Sequence, residues 1–245
     1  MNSSEKTKFI SNWIKTYVDQ MPSKAQSLVI GISGGIDSSV SSTLSAMTGI
    51  KTIVLTMPIR QKDNQHDLSL KHQEWLKKKF NNVESHTINL DKLFDSFSSS
   101  LKGFDNEHGF ANSRARLRMT TLYQVAAANK GIVVGTGNKV EDFGVGFYTK
   151  YGDGGVDISP IADCNKTDVW ELGKELGILK EIIDAPPTDG LWDDGRTDEG
   201  QLGFKYEDLE DAMKNVDSPY RQEYEKIRKQ NLHKMEPIPV CKIPS

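Results

Sequence analysis

The chain has 245 residues, of which 36% are hydrophobic and 27% charged, with a formal net charge of −3. That length suits one larger α/β domain or a domain with a small appendage. The acidic balance argues against a broad nucleic-acid surface, and no apolar run is long enough to span a bilayer. Cys164 and Cys241 are too far apart for a Cys-x-x-Cys site, and His66, His72, His86, His108 and His233 show no zinc-like spacing. The start, Met1 to Lys6, leads into an amphipathic segment rather than a secretory signal, so a cytoplasmic location is the default expectation.

Phe9, Ile10, Trp13, Ile14, Tyr17 and Val18 recur at helical spacing, predicting an amphipathic helix over about 4–20 with one buried stripe. Short β-rich runs follow at Ser27–Ile32, Thr52–Met57, Val83–Ile88 and Ile132–Val134, with helical patterns at 38–48, 66–80, 91–101 and 112–129. Strands alternating with helices imply a doubly wound parallel sheet with helices on both faces. Ligands bind such sheets beyond the carboxyl ends of the strands, near a reversal of strand order. Ser33-Gly34-Gly35, Pro58-Ile59-Arg60 and Gly135-Thr136-Gly137 occupy those ends and are expected to form one rim.

The first of these continues as Ser33-Gly34-Gly35-Ile36-Asp37-Ser38, between an apolar strand and a helix. Successive glycines let backbone N–H groups approach an anion, and the helix points its positive end at the same place. Ser33 and Ser38 add hydroxyl donors, and Asp37 adds a carboxylate able to hold Mg²⁺ beside phosphates. A Gly-Gly turn with a Ser/Asp helix cap is the plainer reading of the same residues.

Beyond residue 143 regularity falls. Gly144–Asp157 is glycine-rich, and Ala185–Gly203 is rich in Pro, Gly and Asp without hydrophobic period. Both are interior and flanked by helical patterns at about 166–176 and 206–215, so they are expected to be functional lids. Ser218-Pro219 reads as an N-cap and first helical residue of a charged helix running to about Gln230. His233-Lys234-Met235-Glu236-Pro237 then reads as a polyproline-like tail able to fold over a site.

At this point the chain resembles a known family. Ser33–Ser38 is similar to the pyrophosphate loop of the N-type ATP pyrophosphatases, which adenylate a substrate and release pyrophosphate. Four further segments resemble NAD synthetase: Asn112-Ser113-Arg114-Ala115-Arg116-Leu117-Arg118, Gly135–Glu141, Thr149–Asp157, and Pro187-Thr188 with Asp198–Gly203. The resemblance covers about residues 5–240. It implies an adenine nucleotide alpha hydrolase-like fold in a single domain, with an ATP pyrophosphatase core over about 24–180, a lid and C-terminal helical segment over about 181–245, and no glutaminase domain.

The implied reaction is the ATP-dependent amidation of deamido-NAD, the last step of NAD biosynthesis, through an adenylate and with ammonia as the nitrogen donor. The family pattern places ATP on Gly31, Ile32, Ser33, Gly34, Gly35, Ile36, Asp37, Ser38, Thr136, Lys166 and Thr188. It places Mg²⁺ on Asp37 and Glu141, and deamido-NAD on Arg116, Lys150, Asp157, His233 and Lys234. The metal assignment requires the strands before Asp37 and Glu141 to be near neighbours. Arg114 and Arg118 share a helix face from which Arg116 points away, leaving them for packing or ion pairing. Asp153 is the candidate to bind ammonium and accept its proton, with an Asx turn as the alternative. Without the family pattern, Lys166 and Thr188 read as surface polarity and the arginines as a solvated face.

Two departures from the pattern stand out. Ile36 replaces a common glutamine and is expected to face away from the phosphate, and the stretch between Glu141 and Lys150 is one residue longer, with Gly144-Val145-Gly146 taking up the slack. The resemblance also implies a homodimer, for which Phe9, Trp13 and Tyr17 or the helix at 112–129 could supply the surface. An RNA-modifying relative would want a basic appended domain or a paired-cysteine site. A non-catalytic ATP-binding regulator would not need both Asp37 and Glu141.

Overall fold

The structure, a computed structural model, describes residues 1–60, 63–188, 190–192 and 197–244, with backbone only for 63–65. In chain order the elements are α1 (Ser3–Gln20), β1 (Ser27–Gly31), α2 (Ile36–Met47), β2 (Lys51–Thr56), α3 (Asp63–Lys79), β3 (Val83–Thr87), α4 (Asp91–Ser99), α5 (Glu107–Ala128) and β4 (Gly131–Val133). A π-helical turn (Val140–Val145) follows, then α6 (Lys166–Leu176), α7 (Lys180–Ile183), α8 (Asp198–Leu202), α9 (Tyr206–Lys214) and α10 (Arg221–Met235). The four strands pair in parallel in the order β3-β2-β1-β4. Strand order therefore reverses between β1 and β4, and a crevice opens where their carboxyl ends diverge.

Side-chain alternation divides the core between the two faces of the sheet. Leu28, Ile30, Val54 and Ile132 join the cluster containing Ile14 and Val18 of α1, Val40 and Leu44 of α2, Leu76 of α3 and Leu172 of α6. Val29, Ile53, Leu55 and Val133 face Phe94 of α4 and Ala126 of α5. A third cluster packs Val140 and Val145 of the π-turn against Tyr206, Leu209 and Ala212 of α9 and Tyr224 of α10. The C-terminal helices thereby brace the segment that follows β4.

Helix α2 lies in the middle of this packing, with every residue from Ser38 to Ala46 buried. Its small hydroxyls fit because they bond carbonyls within the helix, as in Thr43 Oγ1 to Ser39 O at 2.7 Å and Ser45 Oγ to Ser41 O at 2.8 Å. Ser42 Oγ lies 3.0 Å from Nε2 of buried His72, whose ring stacks on Trp75. Burial lowers the His72 pKa from 6.5 to about 4. Between those values the unfolded chain binds more protons than the folded one. The His72 contribution is thus intact above 6.5 and is lost as pH falls toward 4, by about 3 kcal/mol at full extent. Chemical denaturation of His72→Phe between neutral pH and about pH 4.5 is expected to show most of that slope removed; an unchanged slope would assign it elsewhere.

Several sequence expectations need correction. The six apolar residues of α1 form two stripes. Ile10, Ile14 and Val18 are buried, whereas Phe9, Trp13 and Tyr17 are exposed, because side chains one residue apart lie about 100° apart around a helix. Helix α5 starts before residue 112, at Glu107, since Asn106 caps it by accepting from Gly109 N at 2.7 Å. Ser218 does not cap α10. It closes a turn, accepting from Tyr220 N on its side chain and Arg221 N on its carbonyl, and the helix begins at Arg221. That helix continues past Gln230 to Met235, so His233 and Lys234 sit in its last turn rather than in an extended tail. Of the expected lid at 185–203, residues 189 and 193–196 lie outside the described residues, and Asp198–Leu202 are helical.

Candidate active site

The phosphate-loop residues stand where β1 gives way to α2. Gly34 has φ +93, a conformation that a side chain would strain, and Gly35 caps α2. Ser33 and Ser38 brace the turn, their hydroxyls 3.0 Å apart, with Gly35 N donating to Ser33 Oγ and Ser33 N to Ser38 Oγ. Ile36 points away from the loop into the core, so close to Gly173 of α6 that a Cβ there would fall 2.5 Å from Ile36 Cδ1.

A cavity opens over this loop at the β1/β4 divergence. Gly31, Ile32, Ser33, Asp37 and Ser38 line one wall, and Gly135, Thr136, Gly137, Glu141 and Asp142 line another. Met57, Ala115, Arg118, Met119 and Leu122 supply an apolar side with one guanidinium, and Thr188 and Asp198 close the rim. The expected rim segment Pro58-Ile59-Arg60 does not line this cavity, to which the chain after β2 gives Met57 instead. Arg60, at φ +48, turns its N–H to Asp91 and its Nε to Asp95, away from the cavity.

Because β1 and β4 are paired neighbours, Asp37 and Glu141 converge. Lys166 Nζ lies 2.6 Å from Asp37 Oδ2 and 3.1 Å from Glu141 Oε1. Lys166 is 1% exposed, which removes the reading of surface polarity. Burial alone would lower the pKa of this ammonium, but the charges of Asp37 and Glu141 and the hydrogen bond to Asp37 hold it well above the usual lysine range. Asn138 donates to Asp37 Oδ1 at 3.0 Å. Tyr206 donates to Glu141 Oε1 at 2.6 Å, its ring 4.7 Å from the Lys166 nitrogen, and burial beside Glu141, Asp198 and Asp37 keeps that phenol protonated. Helix α6 is pinned at its start by buried Glu210, which accepts from Thr167 N at 3.0 Å and Thr167 Oγ1 at 2.7 Å.

The chain after Lys139 winds into the π-turn at Val140–Val145. It also brings Asp142 to the cavity. Burial, then the charges of Glu141, Asp153 and Asp37, push the Asp142 carboxyl up to about 7. Asp153 accepts from Thr149 N, four residues earlier, at 3.0 Å, which ties the loop back on itself and is not an Asx turn, and it also lines the cavity. It keeps solvent contact through the cavity mouth, yet the protein packed around it pushes its carboxyl up to about 6. A Cβ at Gly154 would meet the Tyr148 ring at 2.4 Å, so the turn is tight enough to need glycine there.

None of the five expected dinucleotide residues lines the cavity. Arg116 Nε donates to Lys150 O at 3.3 Å, while Lys234 Nζ donates to Tyr148 O at 2.7 Å and Tyr148 OH donates back to Lys234 O. Asp157 accepts from Val133 N and Tyr123 OH. Arg116 and Lys234 are thus both tied to the backbone of residues 148–150, next to the cavity-lining Gly152 and Asp153. Arg114 is buried against the Phe94 ring and donates to Leu191 O, and Arg118, which lines the cavity, donates to Met57 O. Asn138, Asp142, Asp198 and Tyr206 are site residues that the sequence reading did not single out. Asn138 and Asp198 fall inside the quoted segments, whereas Tyr206 carries no local signal.

The family model described as NAD synthase matches residues 6–243. Curated relatives named NH(3)-dependent NAD(+) synthetase include that of Carboxydothermus hydrogenoformans, 37% identical over 215 residues, or 86% of this chain and 85% of the relative. Another, from Alkaliphilus metalliredigens, is 35% identical and covers 98% of this chain and 99% of the relative. The structure of NMN synthetase from Francisella tularensis superposes with a TM-score of 0.91 at 32% identity, covering 99% of this chain and 100% of that one. An NH3-dependent NAD synthetase from Campylobacter jejuni gives 0.79 at 24% identity over 99% of this chain, a likeness of fold.

Proposed function

The chain belongs to the NAD synthase family, and from that premise we propose how its residues divide the work. It is an ammonia-dependent carbon–nitrogen ligase, in which ATP drives amidation of deamido-NAD to NAD. In the first step a carboxylate oxygen of the acceptor attacks the α-phosphorus, and the bond to the β-phosphate oxygen breaks. A carboxylate needs no base for this, so alignment and charge neutralisation carry the step. The Ser33–Ser38 loop holds the departing pyrophosphate with its backbone and hydroxyls, Lys166 and Thr136 contact the phosphates, and Thr188 completes the ATP site. In the second step ammonia attacks the acyl carbon, AMP leaves, and Asp153 takes the proton shed by nitrogen.

The donor set fits Mg²⁺. Asp37 and Glu141 present oxygen ligands from adjacent strand ends and already converge on one cation, the Lys166 ammonium. Magnesium takes one or two carboxylates together with phosphate oxygens and water, and among the described residues no larger ligand cluster exists. When bound it would supply charge neutralisation to the phosphates.

The division of the protein into a pyrophosphatase core and a C-terminal segment, a cytoplasmic location and a homodimer complete the reading. The position of Arg116, Lys150 and Lys234 outside the ATP cavity supports an acceptor site completed by a second copy. Phe9, Trp13 and Tyr17, at 60%, 41% and 41% exposure, offer an apolar contact surface. A second reading concerns acceptor size. The 0.91 superposition on an enzyme named for the mononucleotide product supports nicotinate mononucleotide as an acceptor. The observation that carries the common reading is the convergence of Asp37, Glu141 and Lys166 over the phosphate loop. Pyrophosphate release with each acceptor, without ammonium, tests it.

A further inference from the structure

Tyr206 has no part in the reaction just outlined, yet it meets Glu141, Asp198 and Lys166. It opens α9, is fully buried, and its hydroxyl oxygen lies 2.6 Å from Glu141 Oε1 and 3.2 Å from Asp198 Oδ2. A phenol carries one proton, so it donates to one of these carboxylates at a time. Lys166 shares Oε1 of Glu141, so both donors fall on one oxygen and, among the described residues, Oε2 takes no protein donor. Asp198 in turn donates its backbone N–H to Pro187 O at 3.0 Å, next to Thr188. One hydroxyl therefore stands between the Glu141 carboxylate and the segment carrying Thr188.

We infer that Tyr206 is a positioning residue: its O–H fixes the carboxylate of Glu141 for a divalent cation and, through Asp198, links that carboxylate to the Thr188 segment. The inference rests on the metal reading above. Glu141 is carried on a π-turn, a looser support than an α-helix, so a second point of attachment matters more here. The rest of Tyr206 is held independently of its hydroxyl, by an edge contact with Trp170 at 6.1 Å and by the Lys166 ammonium over its face. Tyr206→Phe therefore removes the donor and spares the packing.

Manganese binding, followed by electron paramagnetic resonance with a non-hydrolysable ATP analogue present, separates this role from a general structural one. Glu141→Gln and Tyr206→Phe are each expected to weaken Mn²⁺ binding by about tenfold or more, the first by removing a charged oxygen ligand and the second by removing a hydrogen bond to a charged group. The double variant is expected to be no weaker than Glu141→Gln alone. If Glu141→Gln leaves Mn²⁺ binding unchanged, the metal reading fails. If Glu141→Gln weakens it and Tyr206→Phe does not, or if the losses add in the double variant, the Tyr206 inference fails while the metal reading stands. Asp198→Ala keeps Tyr206 in place and should weaken the analogue several-fold with Mn²⁺ binding retained. Unchanged analogue affinity overturns the Asp198 link, and this arm decides alone should Tyr206→Phe show no cooperative thermal transition.

Discussion

Lys166→Met is expected to abolish pyrophosphate release and to lower the stability of the metal-free protein by about 3–5 kcal/mol, the cost of breaking a buried ion pair from one side. The side chain is 2% exposed, and its ammonium is the cation shared by Asp37 and Glu141. Removing it leaves two carboxylates facing each other in a cavity that also holds Asp142, Asp153 and Asp198. The thioether keeps much of the apolar stem, so the loss reports charge more than volume. Mg²⁺ should restore part of the stability by replacing the missing cation, which thermal melts with and without Mg²⁺ read. A variant as stable as wild type at neutral pH, or indifferent to Mg²⁺, would show that the three groups do not form one charge-balanced unit.

Asp153→Asn is expected to separate the two chemical steps. Pyrophosphate release driven by the acceptor should stay close to wild type, because that step needs no base. Amide formation from the adenylate should fall by about a hundredfold to ten-thousandfold, the range for losing a general base. The sign of the pH dependence follows from the raised carboxyl. With a pKa near 6, Asp153 is ionised above that value and able to accept a proton. The wild-type amide step should therefore weaken as pH drops through about 6, and the variant should lose that inflection. Rapid-quench measurement of AMP and NAD, started from enzyme preloaded with ATP and acceptor, resolves the steps. Equal loss of both steps would reduce Asp153 to the turn-forming residue that its bond from Thr149 N already makes it.

The strands were legible because β-branched runs such as Leu28–Ile30 and Thr52–Leu55 sit between helical patterns, and all four fall within about a residue of expectation. The meeting of Asp37 and Glu141 was legible as a condition, that their strands be neighbours, and the β1–β4 pairing meets it. Other features depend on tertiary context. Periodicity marks α1 as apolar over a wide arc but does not say which half of the arc meets the sheet, so Trp13 and Ile14 were grouped together. Lys166 looks like any helix-start lysine until α2, the π-turn and α9 enclose it. Tyr206 reads as one apolar position of a short amphipathic helix, and only the fold brings it to a carboxylate 65 positions earlier in the chain. The charged sequence of α10 masks its length, because charged residues are as much at home in an exposed helix as in a tail.

The central claim, that this chain adenylates the carboxylate of a pyridine nucleotide before ammonia enters, is tested most directly by pyrophosphate release from ATP and Mg²⁺ without ammonium. Deamido-NAD, nicotinate mononucleotide, tRNA or no acceptor would be supplied in parallel. The expected result is a stoichiometric burst of pyrophosphate that requires a pyridine nucleotide acid, with the amide appearing only when ammonium is added. The larger burst rate identifies which of the two acids the site takes. Pyrophosphate release that ignores the acceptor, that follows tRNA, or that begins only with ammonium would contradict the account.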